Sequence, residues 1–343
     1  MNEPRGRLED GVVRVAGDAR QRYYDSRGYG RPVEGNEIAL APVEAAHLLS
    51  RGDLRVGDLD FPAFVRRMAD PTFLVRFLVY ADLRERGFYL SPAREGWVPD
   101  PSEGAHFVVY ERGSGPWDDD RLYELRVAGE RESLPVADLE GSIAVVDEES
   151  EVTYFEVGRP AVEGTSTGFS GSTEADLLAD RAVAWDPPEA LFSEGFYGQP
   201  LAGRESGADG PIQLSLVEAA YLADRGSLSI DDGVLDRGRA VEGERFDRRL
   251  AVYAALRERG VVPKTGFKFG ADFRVYADVD SVDELGHSES LVRVLRPDHV
   301  SSPRELALDV RLAHGVRKRM VFALTDANDG TEPAWISVGR LTP

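Results

Sequence analysis

Much of this chain is written twice. YYDSRGYGRP at 23 to 32 returns as LFSEGFYGQP at 191 to 200, and PVEAAHLLSRGDL at 42 to 54 returns as LVEAAYLADRGSL at 216 to 228. YADLRERGF (80 to 88) is answered by YAALRERGV (253 to 261), and HFVVY (106 to 110) by DFRVY (272 to 276). Near the ends, VVDEESEVTYFEVGR (145 to 159) is answered by LTDANDGTEPAWISVGR (324 to 340). The offset drifts only between about 166 and 181 residues, so one unit is duplicated in tandem with small insertions.

Each half reads alike. A short strand leads to a helix opened by Pro42 in one half and by Ser215 with Glu218 three residues on in the other, a capping-box pattern. A longer amphipathic helix follows, from Asp70-Pro71 to Gly87 and from about Glu244 to Gly260. Both copies end in LRERG, with cations in the last turn and Gly where a left-handed cap is wanted. The period then changes to two. FRVYADV, LVRVL and MVFAL read as strands, with one helix between them opened by Ser302, Pro303 and Glu305.

The expected fold class is therefore α/β of the α+β kind, each repeat a small helical N-terminal subdomain plus a strand-rich C-terminal one. The first repeat spans 1 to 160, with its helical part at about 20 to 90 and its sheet part at 91 to 160. Residues 1 to 20 read as a lead-in, and 161 to 185, rich in Gly, Ser, Thr and acid, as a linker. The second repeat places its helical part at 186 to 262 and its sheet part at 263 to 343.

Composition narrows the setting. The net charge is -20, and lysine occurs only at 264, 268 and 318. An acidic, lysine-poor surface suits a protein bathed in concentrated salt, where close screening makes like-charge repulsion tolerable. The expected place is a halophile's cytoplasm. With no cysteine there is no disulfide framework, thiolate nucleophile or cysteine zinc site. No apolar run reaches membrane-spanning length, so no membrane is expected as a partner.

Comparing the halves singles out residues for chemistry. Tyr276 has a like partner in Tyr110. His287 falls opposite Asp118 when Leu122 is aligned with Leu291, Lys318 falls opposite Leu139, and Arg311 opposite Glu132. One half alone carries a tyrosine, histidine, lysine and arginine set. In a chain that has nearly abandoned lysine, Lys318 marks a need for a compact ammonium. Lys264 and Lys268 flank GFKFG as candidate phosphate contacts. His47, His106 and His299 read as structural or exposed, and no metal-ligand spacing is present.

Over GFKFGADFRVY (266 to 276), GHSESLV (286 to 292) and RLAHGVRKRMVFAL (311 to 324) the chain resembles the archaeal tRNA-splicing endonucleases, or tRNA-intron lyases. Its layout resembles their two-repeat homodimeric type, in a haloarchaeal version. The resemblance matches the catalytic tyrosine, histidine and lysine to Tyr276, His287 and Lys318, with spacings of 11 and 31 residues. It matches RNA-clamping arginines to Arg311 and Arg340, while AHG at 313 to 315 stands where the family has AHS.

That resemblance implies a nuclease-like mixed sheet in each C-terminal subdomain and a degenerate first repeat. It implies a homodimer in which an acidic loop, here Asp147, Glu148, Glu149 and Glu151, docks beside the partner's catalytic repeat. It further implies cleavage of precursor tRNA at bulge-helix-bulge sites by attack of a 2′-OH, with no cofactor and no metal. Two other readings remain: a catalytically silent RNA-binding or structural subunit, and a metal-dependent nuclease using Asp278, Asp280 and Asp283.

Overall fold

The computed structural model describes residues 4–343 apart from 69, 204–209, 280–281, 283–285 and 328–329. Its main feature is a ten-stranded sheet. From one edge the second half supplies Val262–Thr265, Phe273–Tyr276, Ser290–Leu295, Arg319–Leu324 and Ala334–Leu341. The first half continues with Val152–Gly158, Ser142–Val146, Arg121–Gly129, Phe107–Tyr110 and Leu90–Pro92.

The order is the same read from either edge, and so are the directions. In each half the third and fourth strands run parallel while their flanking pairs are antiparallel. The halves meet where Val152–Gly158 pairs antiparallel with Ala334–Leu341, and Val157 faces its own counterpart Val338. An approximate twofold axis passes through that pair. The join also removes two edges whose unpaired N–H and C=O groups would otherwise invite association.

Parallel neighbours need a crossover. In the second half it is the helix Pro303–Gly315, whose start follows from its sequence. The Ser302 hydroxyl accepts from the Glu305 amide and the Glu305 carboxylate accepts from the Ser302 amide at 2.8 Å. Leu306, Val310 and Ala313 turn inward against Met320 and Phe322. Burying each of the larger side chains contributes about 1.5–3 kcal/mol. The first half departs from the expected likeness here. Its crossover is only the turn Val136–Asp138, too short a stretch for a helix, and Leu134 and Val136 pack into the same apolar cluster as the helix of the second half.

The helical subdomains do match each other. Pro42–Ser50, Phe61–Arg67 and Phe73–Glu85 correspond to Leu216–Asp224, Val234–Glu242 and Arg245–Glu258. Each trio packs on a small sheet of its own. The stretch expected to be a lead-in belongs to one of these sheets: Arg5–Glu9 pairs with Val12–Val15 and with Arg55–Val56.

The stretch read as a linker is likewise bound to the fold. Thr173–Glu174 pairs with Leu228–Ser229, and Asp176–Leu177 with Arg181–Ala184. Upstream, the Gly164, Thr165 and Ser166 amides donate to the carbonyls of Arg259, Ala277 and Gly260 at 2.8, 2.8 and 2.9 Å. A Cβ at Gly164 would sit 2.4 Å from the Gly260 oxygen, so glycine there allows two backbones to touch. Composition pointed to flexibility, but these backbone groups find partners, as buried ones must.

Candidate active site

Strand Ser290–Leu295 lies between Phe273–Tyr276 and Arg319–Leu324, with Ser290 opposite Val275 on one side and Arg319 on the other. Tyr276, the segment His287 to Glu289, and Lys318 therefore lie at the same end of three adjacent strands. At strand spacings near 4.8 Å that places their backbones within roughly 10 Å across the sheet.

Local bonds lock this end. The Glu289 amide donates to Val275 O at 3.1 Å, the Ala277 amide to the Glu289 carboxylate at 3.0 Å, and the Arg319 amide to Glu289 O at 3.0 Å. The Lys318 ammonium donates to the carbonyl of Ser288, the residue after His287. Partial burial, then the charge of Arg274, lowers the Lys318 pKa from its ordinary value, while Glu289 opposes the shift. The His287 side chain is exposed. Tyr276 is only 5% exposed, its ring 5.8 Å from that of Phe196.

A cleft of about 810 Å³ opens beside these residues. Lys318, Arg317, Arg319, His314 and Arg340 line it, and Glu156 and Glu289 bring acid to its wall. The structure thus brings Lys318 and Arg340 onto one surface, whereas Tyr276 and His287 stand outside that lining. Arg311 is exposed one turn before Gly315 on the helix Pro303–Gly315, also off the cleft wall. Lys268 is exposed in the turn Phe267–Phe269, next to Phe267, which is 86% exposed.

Lys264 corrects one expectation. It is no phosphate contact: it is buried, with its ammonium on Glu218 at 3.0 Å and on the carbonyls of Gly198 and Phe196 at 2.7 and 3.1 Å. Three donors on one small head suit three converging acceptors better than a planar fork does.

In the sheet register Phe107 faces Leu125 as Phe273 faces Val292, which makes Tyr110 the counterpart of Tyr276. The same register moves the counterpart of His287 from Asp118 to Asp120. The Tyr110 hydroxyl, buried, donates to Ser91 at 3.0 Å. In the first half a smaller cavity, about 210 Å³, is lined by Glu103, Glu124, Asp138 and Glu140 with Arg126.

The candidate docking turn is preorganised. The Asp147 carboxylate accepts from the Glu149 and Glu151 amides, both at 2.9 Å, so Asp147 shapes the turn. Glu148, Glu149 and Glu151 are exposed, and Glu148 pairs with Arg131. His47 and His106 are structural. The Tyr29 hydroxyl is 2.9 Å from His47 Nδ1, and His106 Nδ1 accepts from the Val127 amide at 2.9 Å. His299 is half-buried.

Among the described residues no group of three or more His, Asp or Glu is gathered where a metal could sit. Of the acids considered for such a role, Asp278 is exposed, and Asp280 and Asp283 lie outside the described residues. No described helix is long and apolar enough to cross a membrane.

Sequence reasoning passed over Arg274. Its guanidinium carbon lies 5.8 Å from the Tyr276 ring centroid, and its Nε is buried without an acceptor among the described residues. The signal was available, because DFRVY carries arginine where HFVVY carries Val108.

Comparison with known proteins identifies the family. The model of the tRNA intron endonuclease catalytic C-terminal domain matches residues 246–332. That of the tRNA intron endonuclease N-terminal domain matches twice, at 5–65 and 173–236. A tRNA-splicing endonuclease of Natronomonas pharaonis is 62% identical over 98% of this chain and 99% of its own length. Those of Haloarcula marismortui and Methanococcoides burtonii are 58% and 36% identical, over 98% and 96% of this chain and 99% and 97% of their own lengths. With the catalytic domain and both N-terminal domains in place, the chain belongs to the tRNA intron endonuclease family, the RNA-cutting enzymes of tRNA splicing.

Proposed function

We propose that this protein cuts precursor tRNA at bulge-helix-bulge intron boundaries, by attack of a ribose 2′-OH on the adjacent phosphorus. The O2′–P bond forms and the P–O5′ bond breaks, leaving a 2′,3′-cyclic phosphate and a 5′-OH. The RNA supplies its own nucleophile, so the step asks only for a base, an acid and a cation. The observation that carries this reading is the convergence of Tyr276, His287 and Lys318 at one end of three adjacent strands.

Tyr276 faces the 2′-OH and takes its proton. His287 gives a proton to the departing 5′-oxygen, a task suited to a side chain that changes charge near neutral pH. Lys318, fixed on the Ser288 carbonyl, stabilises the extra negative charge on phosphorus, a contribution of roughly 3–4 kcal/mol in comparable sites. Arg311 and Arg340 hold unstacked bulge bases between planar guanidinium groups, with Lys268 on the phosphate backbone.

The first repeat, with Tyr110 but no partner lysine or histidine, is the degenerate copy of a tandem duplication, divided from the catalytic copy near 161 to 185. Two chains form a homodimer through the turn at Asp147, Glu148, Glu149 and Glu151. Such a dimer presents two sites related by a twofold axis to the two bulges of the substrate. The enzyme works in a salt-rich cytoplasm, where counterion release yields little and RNA shape carries more of the affinity.

The test is cleavage of an intron-containing precursor RNA in high KCl with EDTA, wild type beside His287→Ala. Cyclic-phosphate and 5′-OH ends that vanish in the variant are the expected result. Cleavage surviving the change moves the acid elsewhere, and RNA binding without any cleavage leaves a silent binding subunit.

A further inference from the structure

We infer that Arg274 is a further catalytic residue, which holds the scissile phosphate together with Lys318. The inference rests on the proposed transesterification at this site. Arg274 sits two positions before Tyr276 on the strand Phe273–Tyr276, so the two side chains share a face. Its guanidinium lies 5.8 Å from the Tyr276 ring and close enough to Lys318 for their charges to interact.

No ion pair satisfies it among the described residues. Across the sheet its neighbours are Lys264 and Leu291, and Lys264 is committed to Glu218. Asp272, two residues away, is taken by Arg245, Arg249 and the Val294 amide, and the Glu289 carboxylate already accepts from the Ala277 amide. The buried Nε has no acceptor, and an unpaired buried donor is costly unless a ligand meets it.

The sibling repeat sharpens the point. There the sheet carries Val108 at this place, fully buried, and Leu139 in place of Lys318. Packing therefore does not require arginine. The two cations occur together in the half that holds His287 and are absent together from the half that lacks it, while the tyrosine is kept in both. A site that must hold a phosphorane gains from a fork able to bridge two oxygens beside a lysine that meets one. The carboxylates of a second copy's acidic turn are the other anions that could reach the guanidinium. Its place beside the Tyr276 ring and within reach of the Lys318 charge favours the phosphate.

Arg274→Met and Arg274→Lys in the full chain decide the matter, assayed by single-turnover cleavage of a bulge-helix-bulge RNA at saturating protein in high KCl with EDTA. The methionine variant should cut about 100-fold more slowly and the lysine variant should recover part of the loss. Sulfur in place of a non-bridging oxygen of the scissile phosphate should slow the wild type more than the methionine variant, whose contact is already gone. Mass by light scattering should stay unchanged.

A methionine variant that cuts at the wild-type rate once bound overturns the inference. So does one whose only defect is dissociation of two copies, which would place the guanidinium at a copy interface. Should the methionine variant fail to fold, an undiminished rate and sulfur effect in the lysine variant overturn it equally. A wild type that never cuts removes the proposed reaction itself, whereas a cutting wild type beside an unimpaired Arg274→Met removes the inference alone.

Discussion

Lys264→Met tests how the catalytic half is held together. The Lys264 ammonium meets Glu218 at 3.0 Å and the Gly198 and Phe196 carbonyls at 2.7 and 3.1 Å, with both side chains 9% exposed. Removing one partner of a buried pair costs about 3–5 kcal/mol, because the other charge stays behind without compensation. At about 2–4 °C per kcal/mol for a unit of 150–250 residues, the melting temperature of the second repeat should fall by roughly 6–20 °C.

The pH dependence carries a sign that separates this cause from simple loss of packing. Burial pushes the Glu218 carboxyl up, but the Lys264 charge and the Ser215 and Gly198 amides overcome it and hold it below the usual carboxylate range. A depressed carboxylate contributes stability that is present above its unfolded pKa and lost as pH falls through its folded one. The deficit of the variant should therefore be full at neutral pH and shrink in acid.

The assay is thermal unfolding in high KCl, followed by circular dichroism, for wild type, Lys264→Met and the double variant Lys264→Met/Glu218→Leu. Salt reaches a buried pair poorly, so the deficit should persist at molar KCl. The double variant should recover much of the loss. A single variant within about 1 kcal/mol of wild type, or a double variant no better than the single, would refute the reasoning.

Glu44 is the counterpart of Glu218, but Ser91 stands where Lys264 does in the second half. Burial lifts its carboxyl to about 7 against the pull of the Gly30 and Ala41 amides, so it should take up a proton as pH falls through that value. Its contribution is present at low pH and lost as pH rises through about 7. Carboxyl carbon resonances titrating near 7 would show this, and a midpoint near 4.5 would not. Burial pushes His47 and His106 down to about 4, so stability linked to them should fall as pH drops from 6.5 toward 4, with ring resonances titrating in step. Arg311→Ala and Arg340→Ala should each weaken RNA binding roughly tenfold at constant salt, by loss of base stacking, as read by fluorescence anisotropy. Neutralising Glu148, Glu149 and Glu151 together should yield monomers in size-exclusion chromatography, with Asp147 kept because its carboxylate builds the turn.

Local signals in the chain determined a good deal by themselves. The capping box at Ser302, the Pro42 helix start and the LRERG ends mark helices that the structure contains, because a cap or a 3.6-residue period is written in neighbouring residues. The repeated segments laid out matching halves, and the internal comparison picked out Tyr276, His287 and Lys318, which the sheet gathers at one end. What a residue faces across the fold is not local, and there tertiary structure decided. Lys264 and Lys268 stand four residues apart with the same chemistry, yet one is buried on Glu218 and the other exposed. Residues 161 to 185 look unstructured by composition and are tied down by backbone partners far along the chain. The joining of two sheets through Val157 and Val338, and the bringing of Arg274 within reach of the Lys318 charge, arise only when distant strands come into register, since pairing partners are set by burial of whole faces and not by any neighbouring pair of residues.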